Sequence, residues 1–358
     1  IVSGMSFKGF FDVESVEDLI DATMHFKEVP PGSVSVHYDS TGFFKAVFEK
    51  EEQVLDALKQ YMSYVPAYNP KFFRVADPAE PRFAKEDLDR LIPMNQKAVY
   101  NFVEVLARLT DNSEHMEFRP TYGPEVYTGL VKIDGLLMGV IGNKQGFLGM
   151  GYPEYADYPG IGGKLYRQGL IKMNEFVTLC GRDRVPIIWF QDTSGIDVGD
   201  IAEKAELLGL GQSLIYSIEQ TSVPMMLFVL RKGTAAAHYI MGGPTANNHC
   251  AFTLGTPATE ISVMHGETAA AASFARRLVK EKDAGRSLDP VIDKMNALAK
   301  QYYDQSRPIY CAKRGFVDEV VPFTAMRDYM VAFANCAYQN PLSMCAHHQM
   351  ILPRIIRG

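Results

Sequence analysis

The chain has 358 residues, 47% of them hydrophobic and 22% charged, room for two domains at roughly 150 residues each and unlike the composition of a disordered chain. A net charge of −6, with an isoelectric point near 5.8, argues against nucleic acid as partner, because phosphates demand a basic face. No apolar run approaches the roughly 18 residues of a membrane helix, and the scattered Cys180, Cys250, Cys311, Cys336 and Cys345 form no C-x-x-C pair, which points to a reducing compartment without disulfides.

In chain order, the start Ile1-Val2-Ser3-Gly4 has neither an initiator Met nor a signal-peptide pattern, so the chain is expected to begin inside a longer polypeptide. Residues 15–26 read as a helix, 33–38 as a strand and 51–64 as a second helix. The stretch 76–95 carries Pro78, Pro81 and Pro93 among many charges and reads as a surface linker. It divides residues 1–75, the tail of one domain, from residues 96–358, a second domain.

Beyond it, 99–109 reads as a helix. Two strands, 127–133 and 136–141, flank Asp134-Gly135, a strong hairpin-turn dipeptide. Then follow a helix at 164–180, a strand at 186–190, a helix at 201–220, a buried strand at 225–230 and a loop-to-helix stretch at 233–241. A strand at 260–264 and helices at 268–282, 290–303 and 325–339 complete the pattern. Apolar strands alternating with helices make the fold class α/β, with a sheet covered on its faces.

The informative feature is that two apolar strands run straight into small residues and a helix. One is Ile187-Ile188-Trp189-Phe190-Gln191-Asp192-Thr193-Ser194-Gly195-Ile196-Asp197. The other is Leu227-Phe228-Val229-Leu230-Arg231-Lys232-Gly233-Thr234-Ala235-Ala236-Ala237-His238. Such junctions turn backbone N–H groups outward, with nothing bulky to shield them, where two could hold an oxygen that becomes anionic. Small residues there equally permit tight helix–sheet packing, and spacing alone leaves both readings open.

Other tempting residues have plainer readings. Asp197, Asp200, Glu203 and Glu206 make a solvated acidic face at a helix start. Ser194 and His238 suggest a hydrolase pair, yet G-x-S-x-G is absent. Gly160-x-Gly162-Gly163-Lys164 imitates a phosphate loop, but Leu165 stands where Ser or Thr is required. Cys345, His347 and His348 lack the spacing of a closed zinc site, so no metal is expected. Trp189 reads as core, His265 as an ordinary satisfied histidine, and Arg276, Arg277, Lys280 and Lys282 as a charged helix face.

From Met94 to Gly358 the chain resembles the C-terminal half of the biotin-dependent carboxyltransferases, a family with the crotonase fold. The carriers are Asp111-Asn112-Ser113-Glu114, Tyr122-Gly123-Pro124-Glu125, Gly160 to Gly169, Gln191 to Gly199, Ala205 to Ser213, Arg231 to His238, and Gly266 to Ala270. Residues 1–72, including Met5-Ser6-Phe7-Lys8-Gly9-Phe10, resemble the end of the family's first domain.

The resemblance implies a crotonase-like superhelix of β-β-α units and a carboxyl transfer between an acyl-CoA and a biotin held on a separate carrier subunit. Within the family the sodium-pumping decarboxylases, which take the carboxyl group from glutaconyl-CoA, look nearest. It further implies that Ala235 and Ala236 stand where relatives have a Gly-Ala pair, so that their amides hold the ureido oxygen of biotin. Gly195 and Ile196 would supply the second candidate donors, and Ser194, Gly233, Thr234 and Ala237 would shape the biotin site. No side-chain base is expected, because a dienolate can itself take the proton.

The implied partners are a second copy of the chain in a homodimer or larger assembly, the biotin carrier, and a membrane-bound sodium-translocating subunit, with no nucleic acid. The implied location is cytoplasmic, against the inner face of the membrane. Two other functions stay open on the residues: the carboxyltransferase of an ATP-dependent acyl-CoA carboxylase, and a non-catalytic scaffold or binding module.

Overall fold

Asp134 and Gly135 both take positive φ, 55° and 72°, as a tight hairpin turn between right-twisted strands requires. The computed structural model that shows this describes residues 33–44, 46–64, 73–149, 160–243 and 250–339, with Glu17 and Ile20. The strands are β1 (His115–Glu117), β2 (Val126–Ile133), β3 (Leu136–Asn143), β4 (Ile187–Thr193), β5 (Met225–Thr234), β6 (Cys250–Gly255), β7 (Glu260–Ser262) and β8 (Glu319–Val320). The hairpin joins β2 to β3 in antiparallel register from Ile133↔Leu136, and the Asp111 carboxylate accepts both turn N–H groups, at 3.1 and 2.7 Å.

The strand order is β1-β2-β3-β4-β5-β6-β8, antiparallel up to β3 and parallel from β3 onward. β5 has two neighbours on one side: its first half pairs with β6 and its last three residues with β7. The helices among the described residues are α1 (Glu51–Tyr64), α2 (Leu88–Leu91), α3 (Phe102–Leu106), α4 (Arg167–Asp183), α5 (Asp200–Lys204), α6 (Leu207–Gln220), α7 (Ala235–Ile240), α8 (Gly266–Asp283), α9 (Asp289–Ser306), α10 (Pro308–Lys313) and α11 (Met326–Gln339).

Because successive strand residues face opposite ways, the apolar runs of β4 and β5 build two cores at once. Ile188, Phe190, Met226 and Phe228 pack against Leu88, Phe102 and Phe333. Ile187, Trp189, Leu227 and Val229 pack against Phe176 of α4, Leu214 of α6 and Ile240 of α7. The α/β class expected from the alternation of strands and helices is what forms.

Several expectations need correcting. Residues 33–38 are not a strand: Ser35–Ser40 is a wide helical turn, closed by Thr41 N–H donating to the Val36 carbonyl at 2.8 Å. The Ser-Val alternation fits a strand, but a strand needs a neighbour, and none lies beside it among the described residues. The helix expected over 201–220 breaks at Glu206, which takes φ 65° and separates α5 from α6. The helix at 99–109 shortens to α3, capped by the Asn101 side chain on the Val103 N–H. β1, β6 and β8 are additional strands. β6 has only its second half buried, so its apolar signal is weak. The helix read over 15–26 lies outside the described residues except Glu17 and Ile20, which are helical.

Residues 76–95 do more than run over the surface. Leu88 and Ile92 are fully buried in the first core, and the Glu80 carbonyl accepts from Asn112 N–H at 3.2 Å.

Candidate active site

Parallel pairing of β4 with β5 brings the two strand-to-helix junctions side by side at the C-terminal ends of two central strands. Gln191 pairs with Val229, and Thr193 with Gly233. One residue intervenes on β4 and three on β5, so the ladder is interrupted at Leu230, Arg231 and Lys232. The Asp192 carboxylate fills the interruption: it accepts Arg231 Nε at 2.7 Å and Lys232 N–H at 3.2 Å. Asp192 N–H in turn donates to Asn143 Oδ1 at 2.9 Å. Arg231 also donates to the carbonyls of Asn95 and Ala98 and lies over the Tyr100 ring, tying the 95–100 segment to the site.

The first junction is held from the glycine-rich loop. Ser194 spends both its N–H and its hydroxyl on the Gly163 carbonyl, at 2.8 and 2.9 Å. Leu165 N–H donates to the Gly195 carbonyl and Asp197 N–H to the Leu165 carbonyl, both at 3.0 Å. Lys164 pairs with Asp197 at 3.0 Å. The loop amides of Gly162 and Gly163 are spent on Gly146 and Lys144 carbonyls, so the loop is structural and offers these two donors to no phosphate. Gly195 has φ 138°, a region glycine tolerates, and open space stands where its side chain would be. Its N–H leans on Thr193 Oγ1 at 3.3 Å. The next amide, Ile196 N–H, has no acceptor among the described residues.

At the second junction, Thr234 is the last β5 residue in the ladder, opposite Ser262. Its hydroxyl is buried without a partner among the described residues. Ala235 and Ala236 are exposed, and Ala236 N–H belongs to the first turn of α7, where no intrahelical acceptor exists. Ala237 is fully buried and packs into the second core, so its methyl faces away from the opening. Gly233 is buried where a Cβ would lie 2.9 Å from His238 Nδ1.

Ala235 has φ 50°, a left-handed conformation that costs an L-residue about 1–2 kcal/mol. Glycine adopts it freely. Ala235→Gly is therefore expected to leave the protein as stable or up to about 1 kcal/mol more stable, measured by urea unfolding. A loss of stability would show that this backbone is not strained.

His238 lies beside Gln191, its Nδ1 2.7 Å from Gln191 Oε1. With Ser194 tied to Gly163, no serine–histidine pair forms, so the hydrolase reading fails on geometry. Burial pulls the His238 pKa from 6.5 down to about 4. Between pH 6.5 and 4 the unfolded chain then binds the proton more readily than the folded one, so this contribution to stability is complete above about pH 6.5 and is lost as pH falls toward 4. His238→Asn is expected to flatten the stability–pH slope in that window; an unchanged slope would contradict it.

Sequence reasoning missed Gln191, Asp192 and Arg231 as the frame of the site. Their signal was three polar residues at the ends of otherwise apolar strands. His265 precedes α8 as its N-cap residue. Cys345, His347 and His348 lie outside the described residues, among which no group of three metal-binding side chains occurs.

The sequence profile described as the carboxyl transferase domain matches residues 20–351. The chain is 56% identical, over its whole length, to the glutaconyl-CoA decarboxylase subunit alpha of Acidaminococcus fermentans, and spans 61% of that protein. It is 23% identical to the methylmalonyl-CoA decarboxylase subunit alpha of Propionigenium modestum, over 84% of this chain and 55% of that one. Among solved structures it resembles transcarboxylase 12S, with a TM-score of 0.70 at 20% identity, covering 94% of this chain and 60% of that one. That likeness supports the crotonase-like α/β fold. With that profile matched over most of its length, the chain belongs to the carboxyl transferase family.

Proposed function

We propose that the chain is the greater part of the carboxyltransferase subunit of a biotin-dependent decarboxylase that moves the carboxyl group from glutaconyl-CoA to carrier-bound biotin. Identity of 56% across the whole chain supports this substrate over other acyl-CoA thioesters. The observation that carries the chemistry is the side-by-side placement of the two junctions by Thr193↔Gly233, with Ile196 N–H lacking an acceptor among the described residues beside open space at Gly195. Exposed Ala235 and Ala236 follow directly on the end of β5 at the same place. These residues fit a ureido ring, a small planar group with a central oxygen acceptor.

Biotin supplies the ureido nitrogen that takes up the carboxyl group. The chain's part is to hold the ureido oxygen with Ala236 and Ile196 N–H groups. Fixed donors favour the form with negative charge on that oxygen, because they need no reorganisation when the charge develops. Ser194, Gly233 and Thr234 set the shape of the two turns, and buried Ala237 anchors α7.

In this reading residues 1–75 close a first domain, 76–95 connect and 96–358 form the second. The protein works as a homodimer or larger assembly, with a biotin carrier subunit and a membrane-bound sodium-translocating subunit. None of the described helices is long and apolar enough to cross a membrane, so docking on the inner face would run through that last partner. The test is transfer of the carboxyl group from glutaconyl-CoA to free biotin by the full-length protein without ATP. Transfer supports the reading; a requirement for ATP or a preference for another acyl-CoA overturns it.

A further inference from the structure

The carboxamide of Gln191 sits at the centre of the second junction and is fully buried. Its Nε2 donates to the carbonyls of His238, at 3.0 Å, and Met241, at 2.6 Å. Two carbonyl neighbours can only face the NH2 end, so the amide orientation is settled and Oε1 must face the imidazole. Oε1 cannot donate, so His238 Nδ1, 2.7 Å away, carries the hydrogen. The ring is neutral, because burial opposes its charged form. The hydrogen on Nδ1 leaves Nε2 as a bare acceptor, with no partner among the described residues.

The ring's place follows from the helix. Side chains on a helix lean toward its N-terminus, so His238 covers the turn that begins at Ala235. The 2.9 Å approach of Nδ1 to the Gly233 Cβ position sets the ring against the strand end directly before Ala235 and Ala236. α7 has only six residues, too few to hold its own shape. Gln191 ties α7 back to β4, the strand that carries the other junction.

We propose that Gln191 is a positioning residue that fixes His238 as the Nδ1–H tautomer, and that His238 Nε2 accepts a hydrogen bond from a ring N–H of the ligand whose oxygen the backbone amides hold. This rests on the biotin reading of the site. A ureido ring presents an N–H beside its carbonyl oxygen, and an N–H that binding strips of water without giving it an acceptor costs affinity. The pair thereby selects a ligand with a donor next to its acceptor, a pattern that a simple carboxylate or thioester lacks.

The experiment uses the full-length protein with free biotin as probe. His238→Gln keeps an acceptor near Nε2, while His238→Asn keeps only a donor near Nδ1. Biotin affinity by titration calorimetry, and KM for biotin against KM for the acyl-CoA, are measured for both. We expect His238→Asn to weaken biotin about tenfold with acyl-CoA KM unchanged, and His238→Gln to recover part of the loss. Nitrogen NMR of the wild-type imidazole is expected to show protonated Nδ1 and bare Nε2, and Gln191→Leu to mix the tautomers. A protonated Nε2 in the wild type, or equal biotin affinity in wild type and His238→Asn, overturns the inference while leaving carboxyl transfer intact. Wild-type protein that transfers no carboxyl group to biotin overturns the parent reading and this inference together.

Discussion

Ala236→Pro is expected to lower carboxyl transfer by about 10²–10³-fold, the usual effect of removing one donor from an oxyanion site. The substitution replaces the Ala236 N–H by the ring Cδ, so the donor is lost and its place filled, and it restrains Ala235 before it. Proline is accepted in the first turn of a helix because the N–H there has no intrahelical acceptor. The side chain at 236 is exposed, so the ring meets solvent rather than core. Unfolding by urea should still be cooperative, with a modest loss from the restraint on Ala235, while kcat falls. Ala236→Gly keeps the N–H and is expected to lose far less. Equal loss in both variants would place the defect in loop shape rather than in the donor, and an unchanged kcat for Ala236→Pro would remove Ala236 from the site.

Arg231→Met is expected to destabilise the protein by about 3–5 kcal/mol, read as a lower urea midpoint. Asp192 and Arg231 are 1% and 0% exposed at the side chain and meet at 2.7 Å. Removing the guanidinium leaves the Asp192 charge buried, with the Lys232 ammonium 3.8 Å away as a poorer partner. It also strips the Asn95 and Ala98 carbonyls of their donor. Asp192→Leu combined with Arg231→Met removes both charges and should recover part of the loss. The site should loosen with the fold, since the same carboxylate bridges the interrupted ladder between the two junctions. A midpoint within about 1 kcal/mol of the wild type would show that the pair does not hold the strands.

Much of the site was legible because strand ends and small residues are local chemistry. The runs Ile187–Phe190 and Leu227–Leu230 mark buried parallel strands, and the glycines and alanines after them mark junctions that bare backbone amides. Asp134-Gly135 likewise announces its turn, since two positive φ angles are needed and few residues accept them. Which donors remain unspent was not legible. Gly195 N–H is committed to Thr193, Ser194 to Gly163, and Ala237 to packing, all through contacts that no local pattern encodes. Ile196 and Ala236 retain the role expected of them in the proposal.

Residues 33–38 illustrate the opposite failure: alternation predicts a strand, yet alternation creates no neighbour to pair with. The frame of Gln191 with His238 and Asp192 with Arg231 joins residues 47 and 39 positions apart. The sequence by itself determined the α/β class, the hairpin, the two junctions and, through its motifs, the family. Only the tertiary structure decided which strands lie side by side, which amides are used up and which way Gln191 faces. The reason is that hydrophobic periodicity and turn chemistry act over a few neighbouring residues, whereas hydrogen-bond satisfaction is settled by whichever distant groups the packed sheet brings within 3 Å.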